Sequence, residues 1–99
     1  MAKLHRMSDG QYAFHCPGCQ CSHGVYVDKP GPNRPVWGWN GSLDTPTFTP
    51  SVRVQWAFGD ERKQACCHSY VRDGRIQFLI DSTHALAGRT VEIPDWEIA

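Results

Sequence analysis

The sequence predicts a mostly β domain built from short antiparallel strands. Nine glycines and seven prolines divide the 99 residues into short segments, which excludes long helices. Several of these segments are rich in β-branched and aromatic residues, and one alternates between apolar and polar positions. We therefore expect residues 1–99 to form a single small domain.

Seven segments have the composition of strands, and turn residues separate them. In chain order they are Gln11–His15, Gly24–Asp28, Val36–Trp39, Ser51–Ala57, Cys66–Arg72, Arg75–Ile80 and Thr90–Ile93. In the fourth, Val52, Val54 and Trp56 alternate with polar residues, so we expect these three side chains to face the core.

The Asp73-Gly74 pair predicts a two-residue type I′ hairpin turn, because both residues tolerate positive φ angles. In the resulting register, one face carries Cys67, Ser69, Val71, Ile76, Phe78 and Ile80, and the other carries Cys66, His68, Tyr70, Gln77, Leu79 and Asp81. Cys67 and His68 then point to opposite faces. Unless a β-bulge intervenes, they cannot bind the same metal ion. After the hairpin, Asp81–Gly88 is expected to form one short helical turn.

The composition excludes several classes of function. Ten basic residues balance ten acidic ones, so no net charge attracts nucleic acid or an anionic membrane. No apolar stretch approaches the roughly 20 residues of a membrane span, and no secretory signal pattern is present. We expect a cytoplasmic protein. The sequence contains no nucleophile-elbow motif and no glycine-rich phosphate loop. It therefore gives no support for serine-esterase chemistry or for nucleotide hydrolysis.

The strongest chemical signal is Cys16-Pro17-Gly18-Cys19. Its proline and glycine allow a tight knuckle in which two thiolates converge on one ion, as in zinc sites. Five cysteines without an export signal also suit metal ligands better than disulfides. A thioredoxin-type redox pair is the alternative, but that motif normally opens a long helix.

A closed zinc site needs two further ligands from the rest of the chain. We predict Cys67 and His84, because an ion that joins distant segments stabilises a small core, and because a thiolate on the apolar face of the hairpin needs a metal. The predicted metal ligands are therefore Cys16, Cys19, Cys67 and His84. The alternatives are that His68, His23 or Cys21 replaces one of them, or that Cys67 is simply a buried apolar residue.

Two further features have more than one interpretation. His68 shares its face with Asp81, and a carboxylate that orients an imidazole occurs both in metal sites and in general bases. Trp37 and Trp39 lie on the same side of an extended segment, where they could hold a small ligand or pack in the core.

Five blocks of the chain occur together and in the same order in a known family. They are His15–Cys19, Trp37–Gly41, Pro46–Val52, Cys67–Val71 and Asp81–Gly88. In these blocks the chain resembles a family of short phage and prophage proteins of unknown function that are commonly labelled "ammonia monooxygenase". That label does not fit, because the enzyme is a membrane-bound copper protein and this chain offers no membrane span. The resemblance implies a phage or prophage origin and a metal-binding role for Cys16, Cys19, Cys67, His68 and His84.

Two classes of function follow from these observations. The first is a non-enzymatic, zinc-stabilised β domain that binds a protein partner of the host or the virion. The second is a small zinc-dependent hydrolase, in which three ligands leave an open position for water and His68 or Asp81 moves the proton. Four protein ligands on the ion favour the first class, and three ligands with a water favour the second.

Overall fold

The computed structural model describes residues 2–27 and 35–96, and the regular structure in these ranges is entirely β-strand. The strands are β1 (His5–Arg6), β2 (Gln11–Cys16), β3 (Cys21–Tyr26), β4 (Gly38–Trp39), β5 (Phe48–Thr49), β6 (Val52–Phe58), β7 (Lys63–Arg72), β8 (Arg75–Phe78) and β9 (Thr90–Glu92). They form three antiparallel sheets with the orders β1-β2-β3, β4-β5 and β6-β7-β8-β9. The prediction of a mostly β fold is confirmed.

Each predicted strand overlaps an observed one, although Asp28, at the end of the second, lies outside the described residues. The strands β1 and β5 were not predicted, because two residues are too short to show an alternating pattern. Nowhere in the two described ranges is there a helix long and apolar enough to cross a membrane.

The hairpin between β7 and β8 has the predicted register. Arg72 pairs with Arg75, and Asp73 and Gly74 at the tip have φ angles of 50° and 78°. The predicted position of Ile80 on the apolar face is wrong. Its side chain is 90% exposed, because β8 ends at Phe78 and the chain then leaves the sheet.

A helical turn was expected after Asp81, but the structure has a series of separate turns there instead. The backbone N–H of Ala87 donates to His84 and that of Arg89 donates to Leu86, so each hydrogen bond closes a single turn. Gly88 ends this segment as predicted, with a φ of 81°. Backbone hydrogen bonds also tie the segment to β7 and β8, from the Thr83 N–H to the Cys66 carbonyl at 2.9 Å and from the Gly88 N–H to the Phe78 carbonyl at 3.0 Å.

The core lies where the three sheets meet. Its buried residues are Leu4, Phe14, Cys16, Val25, Phe48, Val52, Cys67, Val71, Ile76, Phe78 and Ile93. Val52 and Val54 face this core as predicted, whereas Trp56, on the same side of β6, is 37% exposed near the sheet's end. Two cysteines from different sheets, Cys16 and Cys67, are thus part of the core itself.

Candidate metal centre and candidate active site

Three cysteines and one histidine lie close together where the sheet of β2 and β3 packs against β7. Cys16 ends β2, Cys19 lies in the turn that follows, His23 is on β3, and Cys67 is on β7. One ligand atom from each residue lies within 4.8 Å of the other three. The sulfurs of Cys16 and Cys67 are 3.7 Å apart, and two sulfurs on one tetrahedral zinc at about 2.3 Å would be about 3.8 Å apart.

The knuckle after β2 brings Cys16 and Cys19 together. The backbone N–H of Cys19 donates to the Cys16 sulfur at 3.4 Å, and that of Gln20 donates to the Cys16 carbonyl at 2.8 Å. Gly18 is required for close approach, because a Cβ atom there would overlap the imidazole of His84. The predicted knuckle is therefore present.

The protonation of the three thiols shows how closely they interact. A hydrogen bond from the Cys67 thiol lowers the pKa of Cys16 to about 4. Burial raises the pKa of Cys19 to about 12, and the contact with Cys16 together with burial raises the pKa of Cys67 far above its usual range. A cation bound among the sulfurs would favour the thiolate form of all three.

The histidine of the cluster also fits a metal. His23 is buried, and its Nε2 atom has no hydrogen-bond partner within the described residues. An unsatisfied buried polar atom costs about 1–3 kcal/mol. A metal ion bound to this nitrogen would remove that cost, so the donor set fits a cation such as zinc.

Of the four predicted ligands, Cys16, Cys19 and Cys67 lie in the cluster. His84 is at its edge, with Nε2 3.5 Å from the Cys67 sulfur and Nδ1 accepting the Leu86 N–H at 3.2 Å. His84 as a ligand stays a prediction, because His23 also occupies this region. Cys21 is exposed and lies outside the cluster.

On the opposite face of the same sheet, a serine, a histidine and an aspartate form a hydrogen-bonded chain. The Ser51 Oγ atom lies 3.0 Å from Nε2 of His68. The other ring nitrogen of His68, Nδ1, lies 3.1 Å from Oδ2 of Asp81. This is the order of contacts in a Ser-His-Asp triad, in which the histidine bridges the nucleophile and a carboxylate.

The strand register explains why these residues meet. Arg53 of β6 pairs with His68 of β7, so both point to the outer face. Ser51 comes directly before β6, and its hydroxyl reaches the His68 ring on this face. The His68 side chain is 22% exposed and that of Asp81 is 47% exposed, so a ligand can reach the triad from solvent.

Residues 81–84 lie beside β7 and connect to both the metal cluster and the Ser51–His68–Asp81 chain. The Ser82 hydroxyl accepts the His68 N–H at 3.0 Å and donates to the His68 carbonyl at 3.1 Å. Thr83 makes the same pair of contacts with the backbone of Cys66, at 3.0 and 3.2 Å. These hydroxyl contacts add to backbone hydrogen bonds from the Leu79 N–H to the His68 carbonyl at 2.8 Å and from the Thr83 N–H to the Cys66 carbonyl at 2.9 Å. Together they hold Asp81 beside His68.

Both predicted tryptophans pack against the core and are half-buried. The indole N–H of Trp37 donates to the Ser51 carbonyl at 3.2 Å, and that of Trp39 donates to the Ser42 carbonyl at 3.0 Å. Trp37 therefore helps to fix the backbone of the triad serine. Binding of a small ligand by the two rings stays a prediction.

Sequence reasoning missed Ser51. Serine chemistry was not predicted because the chain has no nucleophile elbow, yet the structure places Ser51 in hydrogen-bonding distance of His68 by pairing β6 with β7. The available signal is the position of His68 and Asp81 on one face of the hairpin, an arrangement that occurs both in metal sites and in general bases. The serine partner of His68 required the register between two strands.

The fold and these sites define a small all-β protein that combines a Cys3His cluster with the residue arrangement of serine hydrolases. Residues 2–79 match the family described as "bacterial ubiquitination-like system serine protease (BubE)", and the chain belongs to this family. The match includes Ser51 and His68 and ends two residues before Asp81. No curated protein and no solved structure gives a significant match.

Proposed function

We propose that this protein is a serine peptidase that acts through Ser51, His68 and Asp81. The observation that carries this proposal is the continuous contact from Ser51 Oγ to His68 Nε2 and from His68 Nδ1 to Asp81. The description of its family as a serine protease of a bacterial ubiquitination-like system supports the same activity and favours a protein of such a system as the substrate.

In the proposed reaction, Ser51 Oγ attacks the carbonyl carbon of a peptide bond while His68 Nε2 takes the hydroxyl proton. Asp81 accepts the Nδ1–H of His68, which keeps Nε2 free to act as the base and stabilises the imidazolium. His68 then gives the proton to the leaving amine, and an acyl group remains on Ser51. A water molecule, deprotonated by His68, hydrolyses this ester and restores the serine hydroxyl.

We infer that the Cys3His cluster holds a structural zinc ion. Cys16, Cys19, His23 and Cys67 would supply four ligands, which closes the coordination sphere and leaves no position for a reacting water. Zinc bound there would stabilise the small core by joining β2, β3 and β7.

The second hypothesis from the sequence, a zinc-dependent hydrolase, has less support. It needs His68 or Asp81 to move a proton at the metal, but both contact each other on the face of the sheet opposite Cys67. A protein partner remains part of the proposal, because a peptidase binds one as its substrate. The phage or prophage origin, the cytoplasmic location and a separate role as an interaction module stay predictions.

The test of the peptidase proposal is covalent labelling by a fluorophosphonate, which reacts with activated serine hydroxyls. We expect one label on Ser51, identified by peptide mass spectrometry. Labelling should disappear in Ser51→Ala and decrease at least about 100-fold in His68→Ala. Ser8→Ala changes an exposed serine in the turn between β1 and β2 and is the matched control. Wild-type protein that remains unlabelled while correctly folded and zinc-loaded would refute the proposal.

A further inference from the structure

The outer face of the four-stranded sheet continues from the triad into a groove. Alternate residues of β7 share this face, so Tyr70 and Arg72 follow His68 toward the hairpin tip. Val52 pairs with Ser69, which places Tyr70 level with Ser51 on the neighbouring strand. The groove has a volume of about 350 Å³ and is lined by Tyr70, Arg72, Asp73, Arg75, Gln77 and Thr90. It therefore begins at the level of the serine.

Two arginines face each other in this groove. Arg72 and Arg75 are direct cross-strand partners, and both are exposed. Like charges in this position destabilise a hairpin, so the pair does not serve the fold. The Arg72 guanidinium lies 4.5 Å from the centre of the Tyr70 ring, a cation–π contact that orients it before any ligand binds.

The carboxylates near this pair leave Arg72 unneutralised. Asp73 accepts a hydrogen bond from the Thr47 hydroxyl at 3.5 Å, and Glu92 is the cross-strand partner of Arg75. Arg72 forms no ion pair within the described part of the chain. The groove lining therefore holds two guanidinium groups and one carboxylate, and none of the three forms an ion pair within the described part of the chain.

We propose that Arg72 and Arg75 form a carboxylate-binding subsite for the peptide substrate, a proposal that rests on the peptidase function above. Arg72 lies two residues beyond Tyr70, which corresponds to about 7 Å along the strand. An extended peptide covers this distance in about two residues. Guanidinium groups bind carboxylates through paired, charge-assisted hydrogen bonds. The carboxylate belongs either to an acidic side chain or to the C-terminus of the substrate.

The test uses internally quenched peptides in which Glu, Gln or Lys occupies each of four positions on either side of the cleaved bond. We expect Glu to exceed Gln by about tenfold in kcat/KM at one position. Arg72→Gln and Arg75→Gln should reduce this ratio toward one, and Arg72→Glu should favour Lys at the same position. Arg6→Gln on β1 is the matched control and should keep the ratio. Peptides with a free or amidated C-terminus distinguish the two sources of carboxylate.

An equal rate for Glu and Gln peptides of both C-terminal forms, or an unchanged ratio in Arg72→Gln, would overturn the subsite. Fluorophosphonate labelling of Ser51 reports on the triad separately, so failure of the subsite is distinguishable from failure of the peptidase proposal. If no peptide is cleaved, binding to the Ser51→Ala variant decides the question by fluorescence anisotropy. Equal Kd values for labelled Glu and Gln peptides would then refute the subsite.

Discussion

Cys67 and His68 are consecutive residues of β7, yet they belong to two different sites on opposite faces of one sheet. The Cys67 sulfur lies 3.7 Å from that of Cys16 in the core, and His68 Nε2 lies 3.0 Å from Ser51 Oγ at the surface. Because one peptide unit joins them, a metal that fixes Cys67 also fixes the backbone of His68. The cluster is thus placed to support the triad without taking part in its chemistry.

Substitutions of these two neighbours should have separable effects. We expect Cys67→Ser to lose bound zinc and to lower Tm by about 10 °C or more, because zinc contributes folding free energy in a small domain. His68→Ala should retain zinc and a nearly unchanged Tm, but lose fluorophosphonate labelling. Elemental analysis and thermal unfolding of the two variants provide the comparison. Zinc loss in His68→Ala would instead make His68 a ligand.

The fourth metal ligand can be assigned by comparing His23→Ala with His84→Ala. We expect the first variant to bind zinc at least about tenfold more weakly than the second, because His23 lies within the cluster and has an unpartnered buried nitrogen. Competition with a zinc-binding dye measures both affinities. The reverse order would identify His84 as the ligand, as the sequence predicts, and would leave His23 as a buried core residue.

Ser82 should act as a positioning residue for His68. Ser82→Ala removes two hydrogen bonds to the His68 backbone, so we expect a loss of about 1–3 kcal/mol in the free energy of unfolding and a severalfold lower rate of Ser51 labelling. Ser82→Thr retains the hydroxyl and should restore both.

Thr83→Ala is the matched control for Ser82→Ala, since its hydroxyl makes the same two contacts with Cys66, which is outside the triad. Thr83→Ala should lower the free energy of unfolding by less than Ser82→Ala, because the Thr83 hydroxyl is exposed and water can replace its contacts, and it should reduce the labelling of Ser51 less. Equal loss of labelling in Thr83→Ala and Ser82→Ala would show that Ser82 has only a structural role.

The stability of the metal-free, reduced protein should depend on pH through Cys16. Its folded-state pKa of about 4 is below the ordinary thiol value of 9.0, so the folded state binds fewer protons than the unfolded state between these limits. The contribution of the Cys16 thiolate to the free energy of unfolding is therefore fully present above pH 9 and is lost as the pH falls toward 4. The raised pKa values of Cys19 and Cys67 act oppositely above pH 9, where they favour unfolding.

Urea unfolding at pH 5, 6 and 8 measures this dependence. We expect the free energy of unfolding to rise with pH across this range and the slope to be smaller in Cys16→Ser. Cys21→Ser is the control, because its exposed thiol lies outside the cluster. A slope that is identical in Cys16→Ser and in the unchanged protein would contradict the prediction.

Features that depend on neighbours in the chain could be predicted from the amino-acid pattern. Asp73-Gly74 specified a tight turn and, through it, the register of β7 with β8. Strand alternation then placed Cys67 and His68 on opposite faces, and the spacing of Cys16 and Cys19 specified a knuckle. In each case a few covalent bonds fix the relative directions of the side chains, so the local sequence pattern is sufficient to predict the feature.

Contacts between residues far apart in the chain depend on how the strands pair and pack. Ser51 reaches His68 because β6 pairs with β7 across the turn at residues 59–62, and the sequence of this turn contains no two-residue hairpin motif such as Asn-Gly or Asp-Gly from which the register could be predicted. Cys67 joins Cys16, Cys19 and His23 because the sheet of β2 and β3 packs on the larger sheet across the shared core. Such pairings depend on the free energy gained when all the apolar side chains are buried together. No single segment of the sequence contains that information.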